Sequence, residues 1–254
     1  MLALILPDCA PDPRAPNPML QQQILDILQA PAPTLAGFVA GPNASALEAV
    51  RALQPGTLLY VWGGPGSGRS HLLQARANLS EPGQPAGLFV PAAQAGQRLP
   101  ALADVDTPLP AVLIAIDDVQ HLGAAAQSAL FGLINRWRTA MGTPGAFSLL
   151  CAGDCAPRML ALREDLRTRL AWGQVIRLQP LSDQDRALAL QDQAAARGVP
   201  LGPELLQWIL THHDRDMGRL MALMDALDRY SLARHRAITL PLLKELLAHS
   251  APRP

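Results

Sequence analysis

A glycine-rich loop between an apolar run and a helix-like stretch constrains this chain more than any other feature. The loop reads Gly63-Gly64-Pro65-Gly66-Ser67-Gly68-Arg69-Ser70; the apolar run 58–62 precedes it and the stretch 71–77 follows it. Its spacing fits the phosphate-binding pattern G-x-x-x-x-G-[K]-[ST], with Arg69 where lysine is usual. Glycines let successive backbone N–H groups converge on an anion, and a helix start adds partial positive charge. The context predicts a nucleotide site rather than a glycine-rich surface turn.

Composition narrows the class of protein. The 254 residues include 21 Lys and Arg and 21 Asp and Glu, a balance that argues against a polyanion-binding surface and direct sequence-specific DNA binding. Three cysteines are too few for a disulfide framework, which fits a reducing compartment. No apolar stretch reaches the ~20 residues that span a bilayer, and Met1–Leu6 lacks the basic residues of a signal peptide. We expect a cytoplasmic protein without membrane attachment.

Apolar runs alternate with helix-like segments between residues 35 and 180. The continuous apolar run 111–116 is typical of a central strand that is buried on both faces. A helix is predicted at 44–53 with Asn43 as its N-cap, and another at 124–140. The alternation predicts an α/β fold with a parallel sheet flanked by helices. Its strands are expected at 58–62, 87–90 (followed by a Pro-rich connection), 111–116, 146–151 and 174–178.

The segment after residue 180 has no strand-like run. Ser182 and Asp185 fit a capping box that starts a helix to about Arg197. Apolar residues at helical spacing predict further helices and the core of a small all-α bundle, with helices at 203–213, 217–233 and 239–248. The expected organisation is a Pro-rich disordered segment over 1–34, an α/β core over 35–180, a helical domain over 181–250 and a tail over 251–254.

Two carboxylates end the apolar run 111–116. Asp117 is placed to hold Mg²⁺ together with Ser70, and Asp118 to orient the water that attacks a nucleoside triphosphate. Aspartates at strand ends are also common caps and turn formers, and this alternative stays open. Arg69 keeps a positive charge near the phosphates, but its planar fork is bulkier than an ammonium. The site is therefore predicted to hold nucleotide better than it hydrolyses it.

Several blocks together resemble the AAA+ ATPases and, among these, the DnaA replication initiators. The resemblance covers about residues 34–247 and is carried by the phosphate loop, Arg219, and the blocks 38–43, 116–120 and 167–173. It implies an AAA+ P-loop core followed by a small helical lid, with ADP or ATP and Mg²⁺ as cofactors. It also implies roles for the remaining site residues: Phe38 and Val39 against the adenine, His71 beside the loop, Asp154 as sensor 1, Arg169 as an arginine finger directed at a neighbouring subunit's nucleotide, and Arg219 as sensor 2.

A short peptide near the N-terminus carries a second resemblance. Gln22, Leu25 and Ile27, continued by Leu28, form Q-x-x-L-x-[aliphatic], which resembles the peptide that binds the bacterial sliding clamp, the β subunit of DNA polymerase III. A glutamine run leaves the register open by one residue, and Met19 leaves open whether 1–18 belong to the native protein. The chain stops at Pro254, where DnaA continues into a DNA-binding domain. An initiator-like module with a clamp peptide and an arginine in its loop resembles the Hda family of DnaA regulators.

This family resemblance implies a function. It implies a protein of the nucleoid or replisome that binds adenine nucleotide, with ADP favoured, and docks on the DNA-loaded clamp. Arg169 would then stimulate hydrolysis of DnaA-bound ATP and so restrain replication initiation. Two alternatives stay open: an autonomous ATPase of helicase-loader type, and a DnaA-like adaptor without a catalytic role. Also open are whether ADP or ATP is the working ligand and whether a homo-oligomer masks Arg169.

Overall fold

A five-stranded parallel sheet forms the centre of the protein. The computed structural model describes residues 32–79, 86–196, 201–213 and 216–250. Every strand pairing within these ranges is parallel, and the strand order is β2-β3-β4-β1-β5. The predicted parallel α/β sheet is therefore confirmed. The strands are β1 (Leu58–Trp62), β2 (Leu88–Val90), β3 (Leu113–Ile116), β4 (Ser148–Gly153) and β5 (Gln174–Arg177).

Helices cover both faces of this sheet. Because successive strand residues point to opposite faces, Leu58 and Tyr60 of β1 enter one core cluster while Leu59 and Val61 enter the other. The first cluster packs against α3, α4 and α5, and the second against α1 and α2. Because helices cover both faces of the sheet, β3 and β4 are apolar at nearly every position. The helices are α1 (Ala44–Arg51), α2 (Arg69–Ala77), α3 (Ala92–Ala103), α4 (Ala124–Ala140) and α5 (Glu164–Leu170).

A helical unit with its own core follows the sheet. Its helices are α6 (Asp183–Ala196), α7 (Pro203–His212), α8 (Met217–Arg234) and α9 (Leu240–Ser250), and their apolar stripes meet in a third buried cluster. The predicted capping box at the start of α6 is confirmed. Ser182 N–H donates to Asp185 Oδ2 over 3.0 Å, and Asp185 N–H donates to Ser182 Oγ over 3.0 Å. Within the described ranges, no helix has the length and hydropathy needed to cross a membrane.

One prediction about the core was wrong, and a second holds only in part, because Asn43 occupies the N-cap position of α1 but does not cap it. The segment after β2, predicted as a Pro-rich connection, is helix α3, which buries Ala95, Leu99 and Leu102 although Pro100 lies inside it. Asn43 does not cap α1 with its side chain. It instead exchanges two hydrogen bonds of 2.8 Å with the backbone of Gln179, donating from Nδ2 and accepting at Oδ1. These two hydrogen bonds connect the start of α1 to the chain just after β5.

Gly173, the residue before β5, lies against the backbone of β1. A Cβ at this position would lie 1.9 Å from the carbonyl oxygen of Leu58, a backbone atom that cannot move without disturbing β1. We expect Gly173→Ala to lower the free energy of unfolding by about 1–3 kcal/mol, as overpacked sites do. Chemical denaturation would measure the change. Gly96→Ala is the matched control, because no atom lies within 4 Å of its added Cβ; an equal loss in both variants would contradict the packing argument.

Candidate nucleotide-binding site

The glycine loop connects β1 to the first turn of α2, as predicted. Gly66 and Gly68 have φ angles of 71° and 88°, and Gly68 is the residue before α2 begins. Such left-handed backbone favours glycine, because an L side chain there is strained. A Cβ at Gly63 would lie 2.6 Å from the carbonyl oxygen of Leu178 and 2.7 Å from Ser67 Oγ. The loop is thus held in a conformation that these glycines alone permit.

Two buried donors in and beside the loop have no acceptor in the part of the chain that the structure describes. Ser67 Oγ and Arg69 Nη1 are buried and have no hydrogen-bond partner among the described residues. Buried polar atoms are nearly always paired, so an unpaired donor marks a place where a ligand or water completes the structure. Hydroxyl and guanidinium donors at the N-terminus of a helix suit an anion. The residues present therefore fit a phosphate group.

A cavity of about 400 Å³ opens beside the loop. Residues 66–68 line one side, Phe38 and Val39 another, and Met217 and Met221 of α8 a third. The Phe38 ring lies against the loop, since a Cβ at Gly68 would be 2.8 Å from its Cε2 atom. His71 also lines the cavity, with its ring centroid 5.8 Å from that of Phe38. The volume falls within the range of small-molecule sites, and aromatic and thioether side chains provide apolar walls.

Asp117 and Ser70 meet at the end of β3. Asp117 is buried, at 4 % exposure, and its carboxylate accepts a hydrogen bond from the Ser70 side chain. Burial raises the pKa of Asp117 above its ordinary value, an effect that the Ser70 hydrogen bond opposes. Hydroxyl and carboxylate oxygens are ligands that suit Mg²⁺, which usually takes one or two carboxylates together with waters and substrate phosphates. The pair fits the predicted magnesium role, which stays a prediction.

Asp118 accepts hydrogen bonds at its carboxylate from Arg69 and from Gln120. Its backbone has a left-handed φ of 49°, and its Oδ1 accepts from Arg69 Nη2 at 3.2 Å and from Gln120 Nε2 at 2.9 Å. The backbone N–H of Asp154, one residue beyond β4, donates to Gln120 Oε1 over 3.3 Å. The predicted water-orienting and sensor residues thus lie at one edge of the sheet. Gln120 is a site residue that the sequence prediction did not include.

Arg169 lies on α5, away from the residues that line the cavity. Its guanidinium carbon is 3.7 Å from the ring centroid of Phe131 and 4.9 Å from that of Trp172, which is 40 % exposed. Arg163 lies over the same Phe131 ring at 5.5 Å. Arg169 Nη1 is buried and has no hydrogen-bond partner among the described residues. Stacking on these aromatic rings therefore positions the guanidinium of Arg169.

The structure leaves two predicted assignments without a test. Arg219 lies in the first turn of α8, where its backbone N–H donates to Asp216 Oδ1 over 2.9 Å. Its side chain is not part of the described lining, although Met217 and Met221 on the same helix contribute to it. The sensor 2 role of Arg219 stays a prediction. The clamp-peptide residues Gln22, Leu25, Ile27 and Leu28 lie outside the described residues.

Comparison with known proteins bears on the fold and the helical unit. Residues 183–247 match the family described as Hda, lid domain. The chain is similar to domain III of the Thermotoga maritima replication initiation protein DnaA, with a TM-score of 0.65, 23 % identity, and coverage of 86 % of this chain and 98 % of that one. The chain has the AAA+ fold of DnaA, with a lid segment that matches the Hda lid family.

Other AAA+ structures share the fold. AMPPCP-bound DnaA from Aquifex aeolicus aligns with a TM-score of 0.60 and 20 % identity, over 82 % of this AAA+ chain and 71 % of that one. A point variant of RuvB from Thermotoga maritima aligns with a TM-score of 0.58 and 14 % identity, over 87 % and 72 % of the two chains. The predicted AAA+ fold, with a parallel core followed by a helical lid, is confirmed. In this AAA+ protein the lid helix α8 forms one wall of the cavity.

Proposed function

We propose that this AAA+ protein binds an adenine nucleotide, with Mg²⁺, in the cavity between the glycine loop and the lid. The proposal rests on two buried donors, Ser67 Oγ and Arg69 Nη1, which have no acceptor among the described residues. They lie in and beside a loop whose left-handed backbone conformation favours glycine. The apolar wall that includes Phe38 suits a flat base. Ser70 and Asp117 would hold the metal ion, which neutralises phosphate charge when bound. DnaA from Aquifex aeolicus has been solved with AMPPCP in a similar fold.

We further propose that the protein regulates DnaA by supplying Arg169 to ATP bound on DnaA. Arg169 is not among the residues that line its own cavity, and its guanidinium carbon is stacked 3.7 Å from the Phe131 ring centroid. A guanidinium so positioned can donate to charge that develops on a terminal phosphate in a neighbouring site. The match of the lid to the Hda family supports the choice of DnaA as partner. The chemistry would then occur on DnaA, and its ATP-bound form would be depleted, which restrains replication initiation.

Docking on the sliding clamp would give this regulation its timing. The peptide around Gln22 and Leu25 supplies a polar anchor and aliphatic side chains for a pocket. Only clamps loaded on DNA would then bring the protein to DnaA, so hydrolysis would follow replication. ADP is the resident ligand that we favour, because the lid matches the Hda family, whose resemblance implies ADP.

The test is hydrolysis of DnaA-bound ATP with this protein, clamp and DNA together. We expect stimulation that requires all components and that falls with Gln22→Ala and Leu25→Ala, each raising the dissociation constant for the clamp by about thirtyfold, as a loss of ~2 kcal/mol at an anchor residue does. A clamp pull-down measures the affinity. Gln21→Ala and Gln23→Ala are matched controls that also determine the register. Clamp-independent stimulation, or indifference to both anchor changes, would remove the clamp from the proposal.

A second candidate function is autonomous ATP hydrolysis. It is favoured by the presence of both Asp117 and Asp118 at the end of β3, beside the glycine loop. Substantial turnover by the isolated protein, abolished by Asp118→Asn, would support this candidate over the regulator. Slow turnover in isolation, combined with stimulation of DnaA, would reject it.

A further inference from the structure

Residues 32–34, at the start of the described chain, form one wall of the cavity beside the glycine loop. Leu35, the next residue, is buried and packs in the core cluster that it shares with α1 and α2. Thr34 Oγ1 accepts a hydrogen bond from the backbone N–H of Gly37 over 3.0 Å, which closes a turn directly after the wall. The core therefore anchors the C-terminal end of this wall.

An exposed hydrogen bond links the same wall to the helix that follows the glycine loop. His71 Nε2 donates to the carbonyl oxygen of Thr34 over 3.0 Å, and His71 lies in the first turn of α2. Water competes for an exposed hydrogen bond, so this link holds residues 32–34 only weakly. A ligand in the cavity would contact both the loop and the wall and would reinforce the link. Occupancy of the cavity therefore sets how firmly residues 32–34 are held.

The clamp peptide lies directly upstream of this wall. Leu28 precedes Ala32 by four residues, which span about 14 Å at most when fully extended. Pro31 and Pro33 each fix one backbone torsion and disfavour helical backbone in the residue before them, so the connection is stiffer than a glycine-rich linker. The direction in which residues 32–34 leave the cavity thus constrains where the peptide is presented.

We propose that residues 32–34 couple the cavity to the clamp peptide, so that nucleotide and clamp bind cooperatively. This inference rests on two parts of the proposed function, the nucleotide site and the clamp peptide. Nucleotide holds the wall, and the peptide attached to it then has less conformational freedom to lose when the clamp binds. Linkage is reciprocal, so the clamp raises the affinity for nucleotide by the same factor by which nucleotide raises the affinity for the clamp. The clamp thus selects the nucleotide-bound form of the protein.

The affinity for the clamp, measured with and without saturating ADP, tests the coupling in the full-length protein. We expect the dissociation constant for the clamp to be about tenfold lower with ADP, within the usual range of coupling between two sites. An insertion of about eight Gly and Ser residues between Ala30 and Pro31 leaves the residues of both sites in place but makes the connection flexible. In this variant the difference should disappear, while the affinities for ADP alone and for the clamp alone stay unchanged. The same insertion between Pro18 and Met19 is the matched control and should keep the difference.

Reciprocity provides a second readout. ADP titrated with and without the clamp should show the same factor in the wild type and no difference in the variant with the insertion after Ala30. A wild-type affinity for the clamp that ADP does not change, or a difference that survives this insertion, overturns the coupling. A wild type that binds no ADP, or no clamp, overturns the proposed function and the coupling with it. Binding of both without cooperativity overturns the coupling alone.

Discussion

Arg169→Ala is expected to lower the stimulated hydrolysis of DnaA-bound ATP by about 10³-fold or more, the scale of an arginine finger supplied in trans. The structure gives a reason for so large an effect. The guanidinium of Arg169 is a donor that stacking already positions, 3.7 Å from the Phe131 ring centroid, so it loses little orientational freedom when it meets a phosphate. Alanine removes this donor but leaves Phe131 in place. Single-turnover hydrolysis of labelled ATP on DnaA, with clamp and DNA present, measures the loss.

Two further variants separate chemistry from assembly. Arg169→Lys keeps the charge but lacks the planar fork and its stacking, so we expect it to recover only part of the rate. Arg163→Ala removes the other guanidinium that lies over Phe131, which donates to Ser128 and pairs with Asp165, and it should retain most of the stimulation. DnaA binding is measured in parallel for each variant. Stimulation by Arg169→Ala at the wild-type level, with normal DnaA binding, would reject the finger assignment.

Features that depend on local sequence were predictable. The loop 63–70 could be identified because its glycines, its anion-binding geometry and its flanking strand and helix are all encoded within about twenty residues. The same holds for Asp117, which ends an apolar strand, and for the capping box of Ser182 and Asp185. In each case the residues that interact lie in one motif, or at strand ends that a parallel sheet must bring to one edge.

Features that depend on distant contacts were not predictable. Asn43 looks like a helix cap, yet its amide pairs with Gln179, 136 residues away. Helix α3 was missed because prolines at 91 and 100 suggest a connection, whereas burial of Leu99 against the sheet stabilises the helix. The sequence placed Gln120 in the block 116–120, but it did not indicate that the Gln120 side chain donates a hydrogen bond to Asp118. The ion pair between Arg69 and Asp118 joins residues 49 apart, and only the packed structure brings them into contact.

Gly63→Ala is expected to weaken ADP binding by about 10–100-fold while the protein stays folded. The added Cβ would lie 2.6 Å from the Leu178 carbonyl and 2.7 Å from Ser67 Oγ, and the first of these is a backbone atom next to the sheet. The loop must therefore shift, at a cost of ~1–3 kcal/mol typical of overpacking, which corresponds to roughly one to two powers of ten in affinity. The shift also moves Ser67, one of the two buried donors that lack an acceptor among the described residues.

Gly64→Ala is the matched change in the same loop. No atom lies within 4 Å of its added Cβ, and its φ is not among the positive values, so the loop can keep its conformation and much less affinity should be lost. Isothermal titration with ADP measures both variants, and thermal unfolding without nucleotide confirms that each is folded. If Gly63→Ala and Gly64→Ala both bind ADP as tightly as the wild type does, the loop conformation does not determine binding, and phosphate contacts must come from elsewhere. If both lose affinity equally, backbone flexibility rather than the contact with Leu178 controls the site.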